Sequence, residues 1–319
     1  MEYCPQILDL RQQLARVLQT LGRYAAAAQS WREVIAAAPT DGEAALNLAR
    51  CLQATGDHAG AEAALRARLA IRNDDSAALA CLGEIMGALG RLEEAELAFT
   101  SCLTIAPRCA DAWVFRSDVL RRLGRMVAAE MAAQQALTID PRMAGAAGNL
   151  GNALNGQGRH AEAEAAFEQA LELQSNCVEA LNGRGLARLR RGAPVSAEAD
   201  FRKVLQLRPD LAAIGTNLGI ALLDQGRPVA ALDAMREACM YCPDVGAVRR
   251  SWLFCLNYQP DLPAEAIYAE YRAWGEMQPS PQPLPPDNTV GRRLRHRLCI
   301  ARLPRAVSQL FHPAAVGGA

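Results

Sequence analysis

The sequence has few aromatic residues and no excess of charge of either sign. Phe, Trp and Tyr make up 5% of the 319 residues, although hydrophobic residues of all kinds make up 51%. Because strands favour aromatic and β-branched side chains whereas helices favour Ala and Leu, this composition indicates closely packed helices. The 34 basic and 34 acidic side chains cancel, so no general cationic surface is available for phosphate backbones. We therefore expect no nucleic-acid partner.

Signals for membranes, secretion and metal binding are also scarce. No apolar run reaches roughly 18 residues, which predicts no membrane span. The opening MEYCPQILDL has no basic region before an apolar stretch, so we expect a cytoplasmic protein without a signal peptide. Among the ten cysteines only Cys239 and Cys242 form a CxxC pair, and the four histidines are dispersed. This scatter predicts no metal site, no cofactor and no catalytic triad.

Glycine and alanine recur with a period of 34 residues. Glycine occupies positions 22, 56, 90, 124, 158, 192 and 226, and alanine occupies positions 27, 61, 95, 129, 163, 197 and 231. A fixed period of this length indicates stacked supersecondary units. The period divides residues 8–245 into seven units without an insertion: 8–41, 42–75, 76–109, 110–143, 144–177, 178–211 and 212–245.

Each unit predicts two antiparallel helices. In the unit 144–177, Leu150 and Leu154 share a helix face before Gly158, and Ala163 and Phe167 share another face after it. The recurring glycine ends the first helix, where a left-handed residue closes the turn without strain. Prolines then begin or end the second helix. Pro194 and Pro228 lie in its first turn, whereas Pro39, Pro107, Pro141, Pro209 and Pro243 follow its end.

Small and aromatic residues also recur in phase and predict close packing of the two helices. Glycine recurs at one position of the first helix, and we expect large rings of the second helix to fill the space between neighbouring units. The glycines are Gly83, Gly151, Gly185 and Gly219, and the rings are Trp31, Phe99, Phe167 and Phe201.

The pattern resembles the tetratricopeptide repeat family over about three quarters of the chain. The family's positions for Trp, Leu-Gly, Tyr, Gly, Ala, Phe, Ala and Pro are best met in 76–109 and 144–177. Asn73 and Ser175 replace the final proline of two units, and Trp113 alone meets the first aromatic position. The resemblance implies an all-α fold, a superhelical solenoid of antiparallel helix pairs. Its first helices would line a concave groove that binds protein or peptide segments.

The sixth position of each unit is expected to face this groove. It holds Gln13, Asn47, Cys81, Phe115, Asn149, Gly183 and Asn217. Because an amide side chain both donates and accepts, asparagines along a groove can hold a peptide backbone whatever its side chains. NLGNAL (149–154) and NLGIAL (217–222) resemble the asparagine ladder of the O-linked N-acetylglucosamine transferase superhelix. The candidate binding residues are therefore Gln13, Asn47, Asn149, Asn152 and Asn217, with solvated amides that bind no ligand as the alternative.

The segment after the repeats has a different character. We expect 246–277 to form capping helices for the last unit, with Trp252 and Leu256 covering its exposed end and a further helix starting after Asp261. SWLFCLNYQPDLPAEAIYAEYRAW (251–274) is similar to the connector that precedes the catalytic domain in bacterial O-linked N-acetylglucosamine transferase and SPINDLY-like proteins. A Pro-rich linker follows at 278–291, and we expect 292–319 to be disordered.

The resemblance implies a nucleotide-sugar glycosyltransferase domain after GRRLR (291–295), but residues 296–319 do not match one. Synonymous codons from His296 onward, read one base later, permit Ile-Gly-Tyr-Val-Ser-Pro-Asp-Phe-Arg, the first strand of that domain. The hypothesis is therefore an out-of-frame tail and a protein-binding scaffold that is not an enzyme as encoded. Two alternatives stay open, a fragment of an active protein O-glycosyltransferase that uses a UDP-sugar and an independent scaffold. A homodimer is compatible with either.

Overall fold

The structure is a computed structural model that describes residues 5–241, 252, 253, 256 and 262–276, and in this part of the chain the fold is all-α, as predicted. Its helices are α1 (Pro5–Thr20), α2 (Tyr24–Ala37), α3 (Gly42–Ala54), α4 (His58–Ile71), α5 (Ser76–Ala88), α6 (Leu92–Ile105), α7 (Ala110–Arg122), α8 (Met126–Ile139), α9 (Ala144–Gly156), α10 (His160–Leu173), α11 (Val178–Arg190), α12 (Pro194–Leu207), α13 (Ala212–Asp224), α14 (Pro228–Tyr241) and α15 (Ala264–Glu276). Contacts divide the chain into two units, Met1–Tyr268 and Ala269–Ala319.

Helices α1 to α14 form seven consecutive pairs, one in each predicted repeat. Each helix contacts the next along the chain, and from α3 onward each first helix also contacts the first helix of the following repeat. Second helices of consecutive repeats have no comparable contact in the described residues. The first helices therefore lie closer together and form one continuous side of the solenoid. We call the exposed side of α1, α3, α5, α7, α9, α11 and α13 the A-helix surface.

The recurring glycine closes the turn inside every repeat, as predicted. The seven residues have φ between 71° and 81°, the left-handed region, and a Cβ would meet nothing within 4 Å. The residue after each glycine donates its N–H to a carbonyl five residues earlier, as Arg159 does to Leu154 at 3.0 Å. Gly158 donates to Asn155 at 3.0 Å. These two hydrogen bonds together form a Schellman motif, which satisfies the last carbonyls of each first helix.

Prolines take the places predicted for them. Helices α12 and α14 begin at Pro194 and Pro228, and α2, α6, α8 and α12 end two residues before a proline. Pro243 lies outside the described residues. Ring packing also agrees with the sequence, since Trp31, Phe99, Phe167 and Phe201 are buried. A Cβ on Gly151 would lie 2.8 Å from the Phe167 ring, and the pairs Gly83–Phe99 and Gly185–Phe201 are equally close.

Ion pairs also join successive repeats through their second helices. An arginine before the second helix contacts a glutamate 29 residues earlier in four places: Arg91–Glu62, Arg125–Glu96, Arg159–Glu130 and Arg227–Glu198. Where Ala193 replaces the arginine, Arg191 pairs with Glu164 instead. Hydrogen bonds from Gln157 and then from Arg159 lower the pKa of Glu130. The pair is absent between the first and second repeats, where Ala28 and Asp57 occupy the positions of the glutamate and the arginine.

The segment after the seventh pair is described in part. Trp252, Leu253 and Leu256 are helical and buried. Helix α15 confirms the helix predicted after Asp261, although Asp261 itself lies outside the described residues. The remainder of the predicted capping segment, the Pro-rich linker and residues 292–319 also lie outside them.

Candidate peptide-binding surface

All five predicted binding residues lie on first helices. Gln13 is exposed on α1, whereas Asn47 on α3, Asn149 and Asn152 on α9, and Asn217 on α13 are half-buried. The contacts between successive first helices from α3 onward place the four asparagines along the A-helix surface, and the 34-residue period assigns Gln13 the equivalent position on α1. The asparagines do not form an unbroken row, because α5, α7 and α11 carry other residues at the sixth position.

Two of these amides already bind a neighbouring repeat. Asn149 donates Nδ2 to the carbonyl of Val114 at 3.0 Å, and Asn217 donates Nδ2 to Oδ1 of Asn182 at 3.2 Å. In the described residues, Oδ1 of Asn149 and Oδ1 of Asn217 accept no hydrogen bond. Each amide therefore links two first helices while one N–H and its oxygen stay available to a ligand.

Helix α11 has glycine rather than asparagine at the sixth position, and packing explains this difference. Gly183 lies against the ring of Phe167, which is fully buried, and a Cβ on Gly183 would lie 2.3 Å from Cζ of that ring. Phe167 is thus enclosed by glycines of two repeats, Gly151 and Gly183. Asparagine does not fit at position 183 in this packing.

Phe115 occupies the sixth position on α7 and forms an aromatic feature of the A-helix surface. Its ring is 42% exposed and stacks on Phe99, with ring centroids 6.0 Å apart and an angle of 11°. A cavity of about 200 Å³ lies beside this pair between α5 and α7. It is lined by Gln53, Gly83, Glu84, Gly87, Ala88, Phe99, Phe115, Asp118, Val119 and Arg122.

Three charged residues line this cavity, and Arg122 and Asp118 are hydrogen-bonded within the protein. Arg122 donates to the carbonyl of Gly87 at 2.8 Å, and Asp118 accepts from Arg121 at 2.6 Å. Burial raises the pKa of Glu84, and the positive charge of Arg50 opposes this rise only in part. Burial likewise raises the pKa of the Cys81 thiol, so this cysteine is not an activated nucleophile.

The A-helix surface becomes apolar toward α11 and α13. Ile220 is 42% exposed, and Leu186, Leu189 and Leu223 are half-buried. Sequence reasoning did not single out these residues, although Leu186 and Ile220 follow Asn152 in the 34-residue period. The surface therefore combines an aromatic cavity, an amide-rich centre on α9 and an apolar end.

A buried ion cluster joins α10, α11 and α12 and was also missed by sequence reasoning. Asp200 is 3% exposed and accepts hydrogen bonds from Arg184 and Arg188. Arg188 also bonds Glu164 at 2.7 Å and Glu168 at 3.1 Å. Burial alone would raise the pKa of Glu164, but hydrogen bonds from Arg188 and Arg191 outweigh it and lower the pKa. This cluster stabilises a joint between repeats.

Other kinds of site are not evident in the described ranges. No three His, Cys, Asp or Glu side chains there are grouped so that they could hold a metal ion. Within 5–241 and 262–276, no helix combines the length and the apolarity needed to cross a membrane.

Sequence comparison identifies the same repeat over most of these helices. Profiles described as "Tetratricopeptide repeat" match residues 8–85, 78–144, 149–212 and 212–237, together more than half of the chain. No curated protein sequence gives a significant match.

Solved structures share the fold at low sequence identity. A tetratricopeptide repeat protein from Parabacteroides merdae ATCC 43184 is 16% identical, with a TM-score of 0.62 over 79% of this chain and 99% of its own. A chain of the APC/C hetero-tetramer Cut9-Hcn1 is 15% identical, with a TM-score of 0.66 over 76% of this chain and 48% of its own. PilW, described as a type IV pilus biogenesis factor, is 21% identical, with a TM-score of 0.60 over 65% of this chain and 96% of its own. At these identities the likeness shows the fold alone.

Proposed function

Because this chain belongs to the tetratricopeptide repeat family, we propose that it is a scaffold that binds an extended segment of a partner protein on its A-helix surface. The observation that supports the proposal is the pair Asn149 and Asn217, half-buried residues of first helices whose Oδ1 atoms accept no hydrogen bond within the described residues. A peptide backbone presents N–H and C=O groups in alternation, which are the complements of these amides.

The aromatic cavity between α5 and α7 supplies an anchor for one side chain of such a segment. Phe115 and Phe99 form an apolar wall, and a volume of about 200 Å³ accommodates one large aliphatic or aromatic side chain. Amides that bind the backbone give affinity with little sequence preference, whereas an anchor pocket fixes the register of the peptide. The partner is therefore a segment with a large apolar residue flanked by extended chain.

A ligand for the test is obtained by selecting peptides that bind the whole protein from a random peptide-display library. Replacing Asn149, Asn152 and Asn217 together by Ala is expected to weaken binding by roughly 10- to 1,000-fold, since each lost hydrogen bond contributes about 0.5–1.5 kcal/mol. Isothermal titration calorimetry measures the change.

The matched control is Asn176→Ala, an exposed asparagine between α10 and α11. It removes the same amide away from the A-helix surface and should leave affinity unchanged. Thermal unfolding of the triple variant checks that it is folded, because Asn149 and Asn217 also join repeats. Equal affinity of a folded triple variant and the wild type would refute the role of the amides.

A second candidate is the substrate-recognition part of an O-linked N-acetylglucosamine transferase-like protein. It is favoured by the resemblance of residues 251–274 to the connector of those enzymes and by the runs NLGNAL and NLGIAL. Under this proposal the partner segment is a polypeptide substrate. The purified 319-residue chain should then transfer no sugar from UDP-N-acetylglucosamine to the selected peptides.

Sugar transfer in that assay would contradict the non-catalytic scaffold and favour the alternative of an active glycosyltransferase. The frameshift hypothesis has a separate test in the nucleotide sequence of codons 290–300. Codons that are incompatible with Ile-Gly-Tyr-Val-Ser-Pro-Asp-Phe-Arg in the next reading frame would rule it out.

A further inference from the structure

The outer face of α1 is an exposed apolar stripe. Ile7, Leu10, Leu14, Val17 and Leu21 are 48%, 63%, 53%, 53% and 66% exposed. The inner face of the same helix is a separate set, in which Ala15 and Leu18 are buried against the core. Five large apolar side chains exposed in one stripe form a contiguous apolar patch, and such a patch indicates an interaction surface.

In each of the six following repeats, a helix covers the central part of the corresponding face. Residues that follow Leu10 and Val17 at the 34-residue period are all buried: Ala44, Cys51, Ala78, Ile85, Ala112, Val119, Ala146, Ala153, Ala180, Ala187, Ile214 and Ala221. In each of those repeats the first helix contacts the second helix of the preceding repeat. The stripe on α1 is thus a helix-docking face that no described helix covers.

The spacing of the stripe says what kind of helix fits it. The five residues are separated by three, four, three and four positions, which is the seam of a coiled coil. Leu14 lies at the centre of the seam, so a second copy of the stripe places its own Leu14 opposite, whether the two helices run parallel or antiparallel. The seam is therefore complementary to itself, as a two-fold interface requires.

The flanks of the seam also permit two copies to meet. Gln13 and Thr20 border it on one side and carry no charge. Arg11 borders it on the other side, and its guanidinium is paired with Glu33 at 3.0 Å. No unpaired like charges would be brought together. We propose that α1 pairs with α1 of a second copy of this chain, forming a homodimer through the stripe 7–21.

Sedimentation equilibrium of the whole chain tests this pairing. The wild type is expected to have twice the chain mass of 34.3 kDa. Leu14→Glu and Leu14→Lys each place a like charge opposite itself at the centre of the seam, so each variant alone should be a monomer with half the wild-type mass. An equimolar mixture of the two variants should regain the dimer mass, because the opposite charges then face each other.

The control is Leu97→Glu, which introduces the same charge at a 68% exposed leucine on α6 and should leave the dimer intact. Circular dichroism confirms that each variant is helical, as expected for a substitution at a half-exposed side chain. A monomeric wild type, or a dimer that survives both Leu14 variants, would overturn the proposal. Failure of the mixture to regain the dimer mass would show that the stripe binds something other than itself. None of these outcomes depends on peptide binding by the A-helix surface.

Discussion

Replacing Asp200 by Ala is expected to lower the free energy of unfolding by roughly 3–5 kcal/mol. The carboxylate is almost fully buried and accepts from Arg184 at 2.6 and 3.1 Å and from Arg188 at 2.8 Å. Its removal leaves two largely buried guanidinium groups without their central counter-charge. Urea unfolding followed by circular dichroism measures the change.

Two further variants separate the buried charge from the rest of the cluster. Glu168→Ala removes a partner whose side chain is 48% exposed, and it should cost only about 0–1 kcal/mol. The combined variant Arg184→Leu, Arg188→Leu and Asp200→Ala installs the residue types found 34 positions earlier, at Leu150, Leu154 and Ala166. It should recover most of the stability, because a well-packed apolar group commonly replaces a buried ion cluster without loss. A loss below about 1 kcal/mol in Asp200→Ala alone would contradict the role of this carboxylate.

Replacing Gly183 by Asn should destabilise the protein by about 1–3 kcal/mol or more, although it adds an asparagine at the sixth position of α11. The added Cβ would lie 2.3 Å from Cζ and 2.5 Å from Cε1 of Phe167. That ring has no exposed surface, and its Cε1 and Cζ atoms also lie close to a second glycine, Gly151, so the ring has little room to move. Thermal or urea unfolding of Gly183→Asn measures the effect.

Gly148→Ala is the matched control for this substitution. Gly148 lies inside α9, and a Cβ there would meet nothing within 4 Å. Alanine should therefore raise the free energy of unfolding by roughly 0.5–1 kcal/mol through its higher helix propensity. A Gly183→Asn variant as stable as the wild type would contradict the claim that the ring of Phe167 excludes a side chain at position 183.

The helices and their turns could be predicted from the sequence because they depend on local chemistry repeated seven times. A glycine at position 158 and its equivalents predicts a left-handed turn wherever the neighbours lie, and the measured φ values confirm it. The same holds for Pro194 and Pro228, which begin the second helices. The recurring glycines near Phe99, Phe167 and Phe201 likewise indicated close packing before any contact was known.

Contacts between repeats were harder to predict, because the way the repeats stack decides which residues of adjacent repeats meet. The sequence shows charged residues at 184, 188 and 200 where most other repeats have Leu or Ala, yet only the stacked helices bring these charges together. The asparagines were predicted to be available to a ligand. The structure adds that Asn149 and Asn217 each give one N–H to the preceding first helix. The spacing of 29 between ion-paired Arg and Glu was visible in the sequence, but its meaning required the register of adjacent repeats.

Photo-crosslinking of a library-selected peptide to the whole protein tests the central claim most directly. The peptide carries a photoreactive phenylalanine analogue at its large apolar position, and mass spectrometry locates the residues to which it attaches. Binding as proposed predicts attachment within the A-helix surface, to the residues that line the cavity around Glu84 and Phe115. Attachment confined to the outer faces of α8, α10 and α12 would contradict recognition by the A-helix surface.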